Sequence, residues 1–155
     1  MNVDISSIAV VFAGYLIGSI DFGVLVPRVF GVDIYAQGSG NPGASNVLRT
    51  MGRSAAAAVM VGDIAKGVGA AALGDLVVGE AAGFAAGFAA VVGHCFPVWH
   101  RFRGGKGVAA AAGMTLWLEP LLGLAMLVAW GLLVAITKRA SVASLAVVAA
   151  YVPLL

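Results

Sequence analysis

The sequence has few charged residues: Asp, Glu, Lys and Arg make up 10% of its 155 residues, whereas a soluble domain has roughly 25%. With 61% hydrophobic residues and a mean hydropathy of +1.03, the composition excludes an ordinary soluble protein and indicates an integral membrane protein. The net charge of +2 is too small to indicate a nucleic-acid partner, so none is expected. The single cysteine, Cys95, excludes an internal disulfide framework and a cysteine-cluster metal site.

Several familiar catalytic motifs are also absent. A Walker-type phosphate loop ending at Lys106 would need glycine at position 100 and serine or threonine at 107, where His100 and Gly107 stand. The His-x4-Asp pattern of one large acyltransferase class fails because Trp99 follows His94 at the aspartate position. The serine-hydrolase motif G-x-S-x-G does not occur, and neither histidine has a carboxylate nearby in sequence. The sequence therefore gives no reason to expect a metal or another cofactor.

Long apolar stretches occupy most of the chain. They are continuous rather than alternating with period two, which favours helices over barrel strands. No basic region precedes the first stretch, so we interpret it as a retained span rather than a signal peptide. The stretch 108–118 would be only about 16 Å long as a helix, shorter than the roughly 30 Å of hydrocarbon. We predict an all-α, polytopic transmembrane bundle in one domain over 1–155, with six segments at about 6–27, 54–74, 77–93, 108–118, 120–137 and 141–155.

The charged residues between these segments predict the orientation. Basic residues cluster in the odd-numbered loops, at Arg28, Arg49, Arg53, Arg101, Arg103, Lys106, Lys138 and Arg139. The N-terminus and the even-numbered loops carry Asp4, Asp75, Glu80 and Glu119. By the positive-inside rule the odd loops are cytoplasmic and the N-terminus is outside.

Two glycine-rich loops on the predicted cytoplasmic side could carry chemistry. They read "GSGNPGASNVLR" at 38–49 and "GHCFPVWHRFRGGKG" at 93–107. Successive backbone N–H groups in glycine-rich turns bind phosphate oxygens, and lysine or arginine neutralises the charge. The alternative is that the loops are only tight turns between spans. That explains the first loop poorly, since a turn needs no such set of serines, asparagines and arginine.

Polar residues within the apolar segments leave two interpretations open. Asp63 and Lys66, at i and i+3, share a helix face, and either pair with each other or contact a substrate. Asp21 could pair with one of the loop cations, and His94 is either a hydrogen-bonded structural group or part of the site. The "GxxxG" spacings 14–18 and 83–87 would allow helix backbones to approach closely, although 22 glycines also produce such spacings by chance.

Taken together, these stretches resemble a known family, the bacterial membrane glycerol-3-phosphate acyltransferases that use acyl phosphate as donor. The matching motifs are "GSIDFG" (18–23), "GSGNPGASNVLRTMG" (38–52), "DIAKG" (63–67), "GHCFPVWHRFRGGKG" (93–107) and "RASVAS" (139–144). The resemblance implies acyl transfer from acyl phosphate to the 1-hydroxyl of glycerol 3-phosphate, giving lysophosphatidic acid for phospholipid synthesis. It also implies residence in the bacterial inner membrane, contact with membrane lipid, an active site facing the cytoplasm, and association with the enzyme that forms acyl phosphate.

The resemblance also assigns roles to individual residues. It implies that Ser39 and Arg49 bind phosphate or glycerol 3-phosphate and that Lys106 is the cation at the reacting phosphate. The remaining implied substrate-binding residues are Gly38, Gly40, Asn41, Asn46, His94, Gly104, Gly105, and Ser141 or Ser144. The sequence departs from the family where Asp21 replaces proline, Tyr35 stands at a frequent arginine, and Ser45 replaces threonine.

A third family motif, of the form N-x-x-R-x-x-x-G-x-E, has no match before Leu155. We therefore expect a representative that lacks the family's C-terminal span. Two other functions remain open: an inactive relative that binds glycerol phosphate or partner proteins, and a small transporter in which Asp63 and Lys66 contact the substrate.

Overall fold

A computed structural model describes residues 4–151, which form a helical bundle without any strand in that range. The prediction of an all-α membrane bundle is confirmed. The described α-helices are α1 (Ile5–Gly18), α2 (Phe22–Val29), α3 (Ala44–Met51), α4 (Arg53–Val77), α5 (Glu80–Cys95), α6 (Val108–Leu118), α7 (Pro120–Thr137) and α8 (Ala140–Tyr151). Short 3-10 helices occur at Ile34–Ala36 and Val98–His100.

Four stretches are long and apolar enough to cross a membrane: Ile5–Val29, Arg53–Val77, Glu80–His100 and Pro120–Thr137. The helices Val108–Leu118 and Ala140–Ala150 are apolar but shorter. The predicted segments therefore coincide with helices, while the number that spans the bilayer and the outer location of the N-terminus stay predictions. The part of the sixth segment beyond residue 151 lies outside the described residues.

The first predicted segment, 6–27, consists of two helices within one candidate span, Ile5–Val29. Residues 19–21 separate α1 from α2. The backbone N–H and the hydroxyl of Ser19 both donate to the carbonyl of Tyr15, each at 2.9 Å, at the end of α1. The Ile20 carbonyl accepts a hydrogen bond from Lys66 Nζ at 2.7 Å. A polar side chain from α4 therefore replaces a helical hydrogen bond at the interruption.

Glycines bring α1 and α5 into backbone contact. A Cβ atom on Gly14 would collide with the backbone of Ala86, and one on Gly18 would collide with the backbone of Ala90. The predicted close approach at the first "GxxxG" spacing is confirmed. The core here consists of small side chains because van der Waals packing, rather than hydrophobic burial, holds helices together in lipid.

The other helices pack around this pair. Gly83 and Gly87 of the second "GxxxG" spacing lie against the side chains of Leu118 and Met114 of α6, so the expected close approach of helix backbones is not seen toward α6. α6 packs against α4 and α5, α7 packs against α6, and α8 packs against α7. The helix order places the connections α2–α4 and α5–α6 at the same end of the bundle, where the two glycine-rich loops meet.

Candidate functional site

The first glycine-rich loop is organised by the buried side chain of Asn46, which is 1% exposed. Its Oδ1 accepts a hydrogen bond from the Ser39 backbone N–H at 3.0 Å, and its Nδ2 donates to the Gln37 carbonyl at 2.9 Å. Gly38 and Gly40 adopt φ values of +56° and +69°, a region that glycine enters without steric cost. A Cβ on Gly38 would also collide with the Asn46 amide. One asparagine thus fixes the turn around Ser39.

Helix α3 places a cation over this turn. Arg49 Nη2 lies 3.4 Å from Ser39 Oγ, and both side chains are exposed to the space above the loop. Asn41 lies at the other end of the turn, with its Nδ2 against Gly43. The guanidinium and the hydroxyl converge on one point, where they can bind the oxygens of a single phosphate.

The second glycine-rich loop is tied to the end of α5. The Gly104 N–H donates to the Cys95 carbonyl at 3.2 Å, and the Gly105 N–H donates to the His94 carbonyl at 3.0 Å. Gly105 also packs directly on the His94 imidazole, leaving no room for a Cβ. These contacts hold the exposed Lys106 immediately before the start of α6.

Tyr35 and Arg103 join the two loops. The Tyr35 hydroxyl donates to the Arg103 carbonyl at 2.6 Å, and the Arg103 guanidinium lies 4.8 Å above the Tyr35 ring centroid. Burial raises the pKa of the Tyr35 hydroxyl, so it remains a neutral donor well into the alkaline range. Each of the two residues lies a few positions before its glycine-rich turn, and the pair brings the two turns together.

A buried polar cluster lies beneath the loops. Lys66 Nζ is 2.8 Å from Asp63 Oδ1, and His94 Nδ1 is 3.4 Å from the same oxygen, with all three side chains at most 4% exposed. Of the two interpretations left open for Asp63 and Lys66, the structure shows their mutual ion pair. Asp21 is fully buried at the helix interruption, within electrostatic reach of His94 and Lys66, and its carboxylate oxygens accept no hydrogen bond from the described residues.

The model of the glycerol-3-phosphate acyltransferase family matches residues 8–155, nearly the whole chain. The chain belongs to the glycerol-3-phosphate acyltransferases. A family member from Rhizobium meliloti (strain 1021) is 47% identical over 146 residues, which are 94% of this chain and 71% of the relative. One from Rubrobacter xylanophilus is 45% identical over 141 residues, covering 90% of this chain and 71% of the relative.

Crystal structures of a glycerol-3-phosphate acyltransferase share this fold. PlsY (YgiH), an integral membrane glycerol 3-phosphate acyltransferase, matches in its glycerol 3-phosphate form with a TM-score of 0.87 and 35% identity, over 92% of this chain and 72% of that one. Its lysophosphatidic acid form matches with a TM-score of 0.82 and 36% identity, over 92% and 71% of the two chains. This chain is therefore an integral membrane protein of the acyltransferase family, as its motifs predicted.

The structure brings most of the predicted acyltransferase site residues together, although their roles remain predictions. One group lies in the first loop and α3: Gly38, Ser39, Gly40, Asn41, Asn46 and Arg49. A second lies at the end of α5 and in the second loop: His94, Gly104, Gly105 and Lys106. Within residues 4–151, no three or more His, Cys, Asp or Glu side chains form a group that could hold a metal ion.

The two predicted serines of the sixth segment lie on α8, and their role in the site stays a prediction. Ser144 accepts a hydrogen bond from Trp130 Nε1 at 3.0 Å and donates to the Ala140 carbonyl at 2.8 Å, which places it between α7 and α8. Ser141 is exposed on the same helix. Neither contact joins the acyltransferase loops. The sequence reasoning also missed the role of Tyr35, for which its position before the first glycine-rich turn was the only local signal.

Proposed function

We propose that this chain transfers a fatty acyl group from acyl phosphate to the 1-hydroxyl of glycerol 3-phosphate. In this reaction an ester bond forms between the glycerol oxygen and the acyl carbon, while the bond from that carbon to the phosphate oxygen breaks. The hydroxyl proton passes to the phosphate, and the products are lysophosphatidic acid and inorganic phosphate. Acyl phosphate is already activated, so positioning and charge stabilisation suffice without a nucleophilic side chain.

The observation that carries this proposal is the convergence of two phosphate-compatible turns through Tyr35 and Arg103. The reaction needs two phosphate groups near one another, and each turn combines a glycine-rich backbone with an exposed cation, Arg49 in the first and Lys106 in the second. In the proposal Ser39 and Arg49 hold the phosphate of glycerol 3-phosphate. Lys106 stabilises the charge that develops on the departing phosphate.

Two further residues support these groups in the proposal. Asn46 sets the shape of the first turn through its two hydrogen bonds. His94 positions the second turn, because its imidazole supports Gly105 and its carbonyl binds the Gly105 N–H. His94 is thus a positioning residue rather than a group that touches substrate.

The membrane arrangement belongs to the same proposal. Because the basic residues gather at this end, the loops would face the cytoplasm of a bacterial inner membrane. Both substrates would reach the site from that side. The acyl chain of the donor would lie along the apolar helix surfaces. Association with the enzyme that supplies acyl phosphate would shorten the path of this reactive intermediate.

The test is turnover of labelled glycerol 3-phosphate by the purified chain in lipid with palmitoyl phosphate. Lys106→Ala and Arg49→Ala should each lower turnover by about a hundredfold or more, the effect of removing one charge-stabilising donor. Arg139→Ala is the matched control, since Arg139 is an exposed cation at the α7–α8 turn. Near-normal turnover by Lys106→Ala would disprove its role. Binding of glycerol 3-phosphate without product would identify an inactive relative.

A further inference from the structure

A basic cavity lies beside the two loops and is not lined by any of the site residues proposed above. Its volume is about 250 Å³ and its lining consists of Arg28, Tyr35, Trp99, His100, Arg101 and Arg103. Arg28 comes from the last turn of α2, whereas Arg101 and Arg103 follow the short helix after α5. Three guanidinium groups from two separate parts of the chain therefore meet around one space.

The lining of this cavity is positively charged, while the carboxylate of Asp33 lines the adjoining cavity together with Arg28 and Tyr35. No carboxylate lines the cavity, and within residues 4–151 the three arginines form no ion pair. Like charges held together repel each other unless an anion lies between them. Guanidinium groups bind phosphate oxygens in a bidentate manner, which makes a phosphate group the ligand that best fits this lining.

The backbone at the cavity wall is held in an unfavourable conformation. Arg101 and Phe102 have φ values of 54° and 59°, two successive left-handed residues without a glycine. This conformation is unfavourable for residues that carry a Cβ atom. Hydrogen bonds from Phe102 N–H to the Pro97 carbonyl and from Arg103 N–H to the His100 carbonyl, at 3.0 and 3.1 Å, hold the turn. The turn places Arg101 and Arg103 at the cavity. Strained backbone of this kind is often found at functional sites.

Exposed aromatic side chains occur at the cavity and next to its arginines in sequence: Trp99 lines it, Phe102 lies between Arg101 and Arg103, and Phe30 follows Arg28 by two positions. Trp99, Phe102 and Phe30 are 62%, 59% and 69% exposed. Exposed aromatic residues beside arginines are typical of the level of the lipid head groups. Arginines beside exposed aromatic residues fit the level of lipid phosphate groups, and basic pockets at that level bind anionic head groups.

We propose that this cavity is a second phosphate site, which binds the head group of an anionic phospholipid or free inorganic phosphate. It differs from the site formed by the two glycine-rich loops, and the proposal does not rest on the acyl-transfer activity. Because Tyr35 and Arg103 line this cavity and also join the loops, an occupied site would brace the catalytic end of the bundle.

For the lipid arm of the test, the full chain is placed in nanodiscs of phosphatidylcholine that contain a minor fraction of phosphatidylglycerol. The chain is then released from the nanodiscs, and the phosphatidylglycerol that stays bound to it is measured. Native mass spectrometry counts the bound lipids. Arg101→Gln/Arg103→Gln should weaken phosphatidylglycerol binding about thirtyfold, and Arg28→Gln alone about fivefold. The matched control is Lys138→Gln/Arg139→Gln, which removes the same two positive charges from the turn between α7 and α8. Like Arg101, Lys138 has a left-handed backbone conformation.

The phosphate arm uses calorimetric titration of inorganic phosphate into the chain in pure phosphatidylcholine nanodiscs. Loss of phosphatidylglycerol in the cavity variants but not in the control identifies a lipid site. A site for free phosphate is identified if all variants retain the same amount of phosphatidylglycerol and only the cavity variants lose phosphate binding in the titration. The proposal is wrong if cavity and control variants behave alike in both arms. If Arg101→Gln/Arg103→Gln does not fold, Arg28→Gln is compared with the control in both arms instead.

Discussion

The buried ion pair offers a quantitative test of how this bundle is stabilised, through the substitution Asp63→Asn. The change keeps the shape of the side chain but leaves Lys66, which is 5% exposed, without the carboxylate 2.8 Å away. Removing one partner of a buried pair costs about 3–5 kcal/mol, because the other charge stays buried. Asp21 lies within electrostatic reach of Lys66 and offsets part of that loss, so we expect the lower end, about 3 kcal/mol.

The assay is reversible unfolding in mixed detergent micelles, followed by tryptophan fluorescence. Asp75→Asn is the matched control in the same helix, because Asp75 accepts a hydrogen bond from Trp117 Nε1 at 3.0 Å that an amide oxygen can also accept. The double variant Asp63→Asn/Lys66→Met should be less destabilised than the sum of the single variants, by about 1–3 kcal/mol. If Asp63→Asn lies within about 0.5 kcal/mol of the unmodified chain, the pair does not stabilise the fold.

Three further predictions concern packing and the loops. Gly18→Ala should reduce stability by more than about 2 kcal/mol because its Cβ meets helix backbone, whereas Gly69→Ala, with open space, should be neutral or slightly stabilising in the same unfolding assay. Asn46→Ala should lower turnover at least tenfold with little change in the helical circular dichroism spectrum, and unchanged turnover would contradict its role in shaping the first loop. Tyr35→Phe removes the donor to Arg103 and should cost about 1 kcal/mol. The raised pKa of Tyr35 means that its contribution is present below pH 10 and is lost as the pH rises through the folded-state pKa, so a stability profile of Tyr35→Phe should lack that alkaline loss.

The sequence predicted what depends on composition and on short spacing. Continuous apolar stretches predicted the helical bundle. The i, i+3 spacing of Asp63 and Lys66 left an ion pair as one of two interpretations, and glycines four apart indicated a close helix approach without naming the partner helix. What it could not predict depends on partners far apart in the chain. The interruption of the first helix lacks a proline or glycine within residues 19–21, and the lysine that stabilises it lies 46 positions away.

The same distinction applies to the candidate site. Glycine-rich composition marked both turns, yet nothing local indicated that Tyr35 would donate to Arg103, 68 positions later. The surroundings of Ser144 could not be predicted for a related reason. Its hydrogen bond from Trp130 joins α7 to α8, and no local spacing in the sequence indicates that contact.

The interrupted first helix connects the buried charges to the loops. An unpaired carbonyl and an unpaired lysine would each be costly within the bilayer, but Lys66 neutralises Asp63 and also satisfies the Ile20 carbonyl. Because the interruption is stabilised in this way, α2 can turn so that Gly23 packs directly on Pro42 of the first loop. Asp63 also contacts His94, which supports the second loop. One buried cluster therefore sets the position of both turns. It follows that substitutions in the cluster should impair activity even where the helices remain folded, since the two phosphate-compatible turns would no longer be held against each other.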